Sequence, residues 1–216
     1  MRAEKARKIV ANMERYIHHD RIFLNNPVVM QGMGLAPLVI VATNGKNALM
    51  LAVAVALLLT PSRVLNSLLF NRVESPLLRA VGYSLVSAAV YVPVYLALGR
   101  LFGTGLLQLG IYLPMLVVEP IIIYRFGRVA EPLRKAVGKG ARITVGYALI
   151  LLLSGCVREL LVTGSLFGQA LIPAGFFPIL QLPAGGFLLL GVICAVWRAG
   201  VNRWKKNVTM EAKNGL

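Results

Sequence analysis

Six apolar stretches in this chain carry few charges, and each is long enough to cross, or nearly cross, roughly 30 Å of hydrocarbon. They fall at about 25–42, 47–66, 79–99, 106–124, 143–162 and 184–201. Of the 216 residues 57% are hydrophobic and only 14% are charged. A soluble domain cannot hide that much apolar surface, because soluble chains are about half apolar and about a quarter charged. The reading is therefore an all-α integral membrane protein with one membrane domain at residues 23–202. Residues 1–21 are basic and lack an apolar core, so no cleavable signal is expected there.

The formal net charge of +15 would point to nucleic acid in a soluble chain. Here topology sorts the charge. Counting residues at the ends of the stretches with the adjoining connections, six Lys or Arg precede the first stretch and three (Arg63, Arg72, Arg79) belong to the second-to-third connection. Six lie between the fourth and fifth, and five (Arg198, Arg203, Lys205, Lys206, Lys213) belong to the end of the sixth and beyond. The connections on the other side hold only Lys46 and Arg100. This asymmetry predicts that both termini face the cytoplasm, and it argues against a nucleic-acid role.

Proline interrupts two of the six stretches at matching places. Residues Gly34-Leu35-Ala36-Pro37 break the first, and Pro114 and Pro120 break the fourth. Proline lacks a backbone donor and clashes with the preceding turn, so a helix in lipid is kinked or broken there. Setting Ala36 over Pro120 aligns the halves, about 23–105 and 106–202, at an offset of 84 residues. Three spans per half is an odd number, so the halves insert in opposite orientation. The expected architecture is six transmembrane helices as a 3+3 inverted repeat, its two broken helices (spans 1 and 4) meeting near mid-membrane.

Residues 1–22 carry an apolar stripe (Ile9, Met13, Tyr16, Ile17) on a basic background, which fits an amphipathic helix on the leaflet or a solvated leader. Residues 166–183 are apolar yet cut by Gly168, Pro173, Gly175, Pro178 and Pro183, so an apolar loop against the outer face is expected. Residues 203–216 read as a basic cytoplasmic tail. Cys156 and Cys194 lie inside spans, 38 positions apart, with no metal-site spacing.

Several stretches resemble a known family. They are Asn25-Asn26-Pro27-Val28-Val29-Met30-Gln31 running into Gly34-Leu35-Ala36-Pro37-Leu38, then Leu109-Gly110-Ile111-Tyr112-Leu113-Pro114-Met115-Leu116-Val117, and Val157-Arg158-Glu159-Leu160-Leu161. Thr163-Gly164-Ser165-Leu166-Phe167-Gly168 and Leu182-Pro183-Ala184-Gly185-Gly186-Phe187-Leu188-Leu189-Leu190-Gly191 complete the set. They are similar to the paired membrane subunits of the Rnf and Nqr electron-transport complexes, the RnfE/NqrD branch in particular. The resemblance implies sister membrane subunits as partners, coupling to sodium ions or protons, and one iron–sulfur cluster shared between two sisters. Each sister would supply a cysteine from each broken helix. This chain has Ala36 and Pro120 at those positions, and neither side chain can bind iron. No cofactor bound by this chain alone is expected.

The polar residues left in the membrane are Glu119, Arg158 and Glu159. A carboxylate in hydrocarbon is costly, so Glu119 should pair, be protonated or face the interior beside carbonyls freed by Pro114 and Pro120. One reading has Arg158 pairing with Glu159 or Glu119 to hold helices together; the other has these residues lining an ion path. No catalytic arrangement is legible, so the chain reads as a non-catalytic subunit of an ion-translocating electron-transport complex. The alternative is a stand-alone or dimeric transporter on the same fold.

Overall fold

Two antiparallel helices form the centre of the bundle. In the computed structural model, which describes residues 2–70, 73, 75–118, 133–173 and 175–213, the chain opens with α1 (Arg2–Ala11) and α2 (Met13–His19). A π-helical turn at Pro37–Val41 leads to α3 (Gly45–Leu69) and α4 (Pro76–Phe102). A 3-10 run (Gly103–Leu109), the single-turn α5 (Tyr112–Met115) and a second 3-10 turn (Leu116–Val118) follow. Then come α6 (Leu133–Thr163), the two-residue strands β1 (Ser165–Leu166) and β2 (Gln169–Ala170), a 3-10 turn at Pro178–Gln181, and α7 (Pro183–Lys213).

Among the described residues four helical stretches are long and apolar enough to cross a membrane: Gly45–Leu69, Leu77–Leu109, Leu133–Thr163 and Pro183–Lys213. They correspond to the second, third, fifth and sixth expected spans, and all four run longer than expected. Helix α6 begins at Leu133, so Arg134, Lys135, Lys139 and Arg142 ride on its first turns. Helix α7 continues to Lys213 through the stretch expected to be a tail. A fall in hydropathy marks where a helix leaves the hydrocarbon, and residues such as Arg203, Lys205 and Lys206 remain good helix formers.

Helices α3 and α6 pair along their length. Gly45 lies beside Glu159 at one end, and Thr60 is hydrogen-bonded to Thr144 (2.9 Å) further along. Small residues set the separation: a Cβ on Gly155 would stand 2.5 Å from the Ala48 Cβ and 2.9 Å from the Asn44 carbonyl oxygen. Close backbone approach of this kind is what packs helices in lipid, where hydrophobicity does not drive association. Leu51, Leu58 and Leu59 meet Ile143, Tyr147, Ile150 and Leu151 in the core. Helix α4 adds a narrow stripe (Val86, Val94, Leu98) and leaves Leu77, Leu85, Val92 and Leu96 exposed, as suits a lipid-facing helix.

The first expected span, 25–42, is not one continuous helix. Residues 21–34 form successive turns, held by polar side chains together with a few main-chain bonds. The Asp20 carboxylate accepts from the amides of Ile22 (2.9 Å) and Phe23 (3.1 Å), making a turn of the kind Asp favours. Asn26, fully buried, accepts from the Val28 amide and donates to the carbonyls of Ile22 and Gly146 (2.9 Å each). The fourth expected span, 106–124, starts as the 3-10 run, α5 and 3-10 turn. Its continuation, with Glu119 and Pro120, lies outside the described residues.

Between α6 and α7 the chain is an apolar loop carrying a small hairpin, Ser165 opposite Ala170 and Leu166 opposite Gln169. At the other end α1 packs along α7, and Tyr16 stacks on Trp204 with ring centroids 6.1 Å apart. The first helix is thus docked on the last.

Candidate functional site

The irregular segments converge on one region beside α6. The Pro37–Val41 turn lies against α5 and also touches α3, α6 and α7. Proline at the first position of the turn removes a donor, and the Ala42 amide closes it by reaching back to the Pro37 carbonyl (3.1 Å), the wide spacing of a π turn. The turn is buried through Pro37, Leu38, Val39 and Val41, while α5 contributes buried Leu113 and the next turn Leu116. Ala36 caps the turn with a methyl group.

Gly34 is the tightest point of the approach. Its φ is +65°, a region that costs an L-residue energy, and a Cβ there would lie 1.5 Å from the Tyr147 hydroxyl. Glycine is required twice over, for conformation and for space. Tyr147 itself is fully buried in the middle of α6.

Arg158 and Glu159, adjacent on α6, do not pair with each other. Neighbours on a helix point about 100° apart, and these two serve different loops. The Arg158 side chain is 1% exposed. Its guanidinium donates to the Val39 carbonyl in the π turn, to the Leu180 carbonyl, and to those of Gln181 (2.9 Å) and Leu182 (3.1 Å) just before α7. The Glu159 carboxylate accepts from the Gly45 amide (2.7 Å) at the start of α3, the Phe167 (3.1 Å) and Gly168 (2.7 Å) amides, and the Ser165 hydroxyl (3.1 Å). A carboxylate at a helix N-terminus meets both unsatisfied amides and the positive end of the dipole. It also fixes a turn whose central residues, Phe167 (φ +52°) and Gly168 (φ +81°), both sit in the left-handed region. The expected Arg158–Glu159 pair is thus replaced by two independent sets of main-chain contacts. Each set satisfies backbone groups that irregular structure leaves unbonded.

Of the residues singled out from the sequence, Gly34, Pro37, Pro114 and Arg158 come together around the junction of the π turn and α5. Glu159 holds the neighbouring loop, and Glu119 and Pro120 lie outside the described residues. Asn26, Asn44 and Tyr147 also shape the region, although of these only Asn26 lies in a stretch singled out from the sequence, and there without a role. Asn44 caps α3 by accepting from the Asn47 amide (2.7 Å), a role that an Asn-Gly pair ahead of an apolar run could have signalled. Nothing in the sequence marks Tyr147 as the partner of Gly34.

Iron held by thiolates does not fit this junction as built. The Ala36 methyl offers no donor, and proline at position 120 carries none in its side chain. Cys156 and Cys194 are half-buried, unpaired thiols on two different helices. Among the described residues no three His, Cys, Asp or Glu side chains gather as a metal site.

The fold is mostly helical, and among the described residues four helices are long and apolar enough to cross a membrane. A family model described as "Rnf-Nqr subunit, membrane protein" matches residues 15–194. A component of the ion-translocating oxidoreductase complex of Thioalkalivibrio sulfidiphilus is 32% identical over 201 residues, 84% of this chain and 87% of the relative. A component of the Na+-translocating ferredoxin:NAD+ oxidoreductase complex of Acetobacterium woodii is 32% identical over 85% of this chain and 93% of its own length. One from the proton-translocating ferredoxin:NAD+ oxidoreductase complex of Clostridium ljungdahlii is 28% identical over 81% and 84%. All three bear the letter E within their complexes. The chain belongs to the Rnf-Nqr subunit family of membrane proteins.

Proposed function

We propose that the chain is a membrane subunit of an ion-translocating electron-transport complex, and that within it the chain shapes the ion or electron path without ligating a cluster. The observation that carries this is the junction itself. A buried π turn is held open against α5, in a family whose members assemble into redox complexes, yet Ala36 caps it with a group that no metal can bind.

In this reading the full membrane domain has six crossings arranged 3+3, with the first and fourth interrupted. The Thr60–Thr144 hydrogen bond supports it: these two threonines are 84 residues apart, the same offset that sets Ala36 over Pro120, and they touch where α3 crosses α6. Equivalent positions of two inverted halves meet only on their shared pseudo-two-fold axis. The charge asymmetry supports cytoplasmic termini, and the kinship with subunits of bacterial complexes supports a bacterial inner membrane. Sister membrane subunits are the partners that cover the exposed apolar faces. The coupled ion is sodium or a proton, since relatives of similar identity are named for each. Glu119 is the carboxylate of the broken fourth span and the residue we assign to the ion path.

The test is affinity purification of a tagged chain after gentle solubilisation, followed by partner identification and iron analysis. Co-isolation with redox subunits, and no iron on the chain once separated from them, is expected. Recovery of the chain alone would overturn the subunit assignment, and iron retained by the separated chain would overturn the cluster-free one.

A further inference from the structure

We propose that Arg158 is a tethered cation filling a main-chain cage, and that the cage is a binding site for a planar, hydrogen-bonding monocation which the chain keeps closed with its own side chain. Four carbonyls from two irregular segments aim at one guanidinium: Val39 from the π turn, and Leu180, Gln181 and Leu182 from the stretch entering α7. Carbonyls freed by interrupted helices are the groups that seat cations inside membrane proteins. Here the seat is taken.

The wall of the cage is fitted to this occupant. Gly186 lies so close that a Cβ would stand 2.9 Å from the Val39 carbonyl oxygen and 3.1 Å from both terminal guanidinium nitrogens. At Gly185 a Cβ would stand 2.2 Å from the Ile179 carbonyl oxygen, so the α7 entrance is pressed against the loop. The guanidinium also lies beside the N-terminus of α7, the positive end of that helix, where a cation is disfavoured unless carbonyls surround it. Any buried guanidinium needs acceptors for its donors; here all four come from main-chain carbonyls of two irregular segments rather than from a carboxylate. A planar fork of donors suits these carbonyls, whereas a lysine ammonium would reach fewer of them.

Two consequences follow. Arg158 is a positioning residue for the π turn, since it holds the Val39 carbonyl away from the helical ladder. It also denies this set of carbonyls to any free cation, so an ion crossing near the junction passes elsewhere. The inference goes beyond the subunit assignment and is tested on the isolated full chain, so its failure leaves that assignment standing.

The experiment is thermal unfolding of the purified full chain in detergent, comparing the natural chain with Arg158→Ala and Arg158→Gln. Guanidinium chloride is titrated at low millimolar concentration, with tetramethylammonium chloride as a monocation lacking N–H donors. Ligand that binds only the folded state raises its midpoint in a saturable way. Both variants are expected to melt several degrees below the natural chain and to regain a good part of that loss with guanidinium. The natural chain should not respond, and tetramethylammonium should have no effect. A guanidinium response that is absent, or matched by tetramethylammonium, would overturn the proposal. If neither variant accumulates in folded form, the same salts are added during extraction. A rise in folded yield with guanidinium alone then supports the cage, and no rise refutes it.

Discussion

Replacing Gly34 with alanine should cost far more than replacing Gly32, although the two glycines have almost the same φ. Their φ angles are +65° and +69°, so both substitutions place a Cβ in the left-handed region, at about 1–2 kcal/mol. The surroundings differ. A Cβ at position 32 meets nothing within 4 Å, whereas at position 34 it would stand 1.5 Å from the Tyr147 hydroxyl and 2.0 Å from its ring carbon. That ring is buried against the core, so relief requires moving a packed side chain, at roughly 1–3 kcal/mol more. Gly32→Ala should therefore cost about 1–2 kcal/mol and Gly34→Ala about 2–5 kcal/mol. Thermal unfolding can be followed with a thiol-reactive dye, because Cys156 and Cys194 are unpaired and half-buried. For a chain of this length each kcal/mol moves the midpoint by about 2–4 °C. Pairing Gly34→Ala with Tyr147→Ala should then cost less than the sum of the two single changes, since the second removes the ring that the first strikes. Equal losses at positions 32 and 34, or strict additivity of the pair, would refute the close approach of the first broken segment to α6.

Glu159→Gln keeps one acceptor oxygen but turns an amide toward donors, so it should cost about 2 kcal/mol, the worth of charge-assisted hydrogen bonds. Hydrogen exchange should quicken at Phe167 and Gly168 while the middle of α3 stays protected; uniform quickening would refute a local role. Thr60→Val and Thr144→Val should be coupled by about 0.6–1.7 kcal/mol in a double-mutant cycle, the range for hydrogen bonds between membrane helices. Zero coupling would remove that contact. Lys46→Cys and Lys213→Cys, each in a chain with Cys156 and Cys194 replaced by serine, should be labelled by impermeant reagents from opposite faces of the membrane. Labelling of both from one face would defeat the topology drawn from the basic residues.

The helices that cross the membrane were legible because hydropathy alone specifies them, and their ends were not. Lys213 terminates a helix that hydropathy closes near residue 201, and Leu133 begins one inside a stretch expected to be loop. In both places the chain leaves the lipid while its backbone ladder continues, and composition registers only the first event. The stack of turns ahead of Pro37 was not legible from proline and glycine alone. Asn26 and Asp20 hold those turns through contacts with main-chain groups, one of them 120 residues away. Arg158 and Glu159 were visible as polar residues in an apolar setting, yet the two do not pair with each other. Opposite charges side by side invite a pair, whereas unbonded main-chain groups of the neighbouring loops offer both residues better geometry.

The length of α7 has a mechanical consequence. At 1.5 Å per residue, its 31 residues reach about 46 Å, while the hydrocarbon takes up only ~30 Å of that. The remaining two or three turns stand clear of the bilayer as a stiff mast; α1 lies along this last helix, and α2 is lashed to it through Tyr16 and Trp204. The opening helices and the end of the chain are thereby joined on one rod, whose far end brings Gly186 against Arg158.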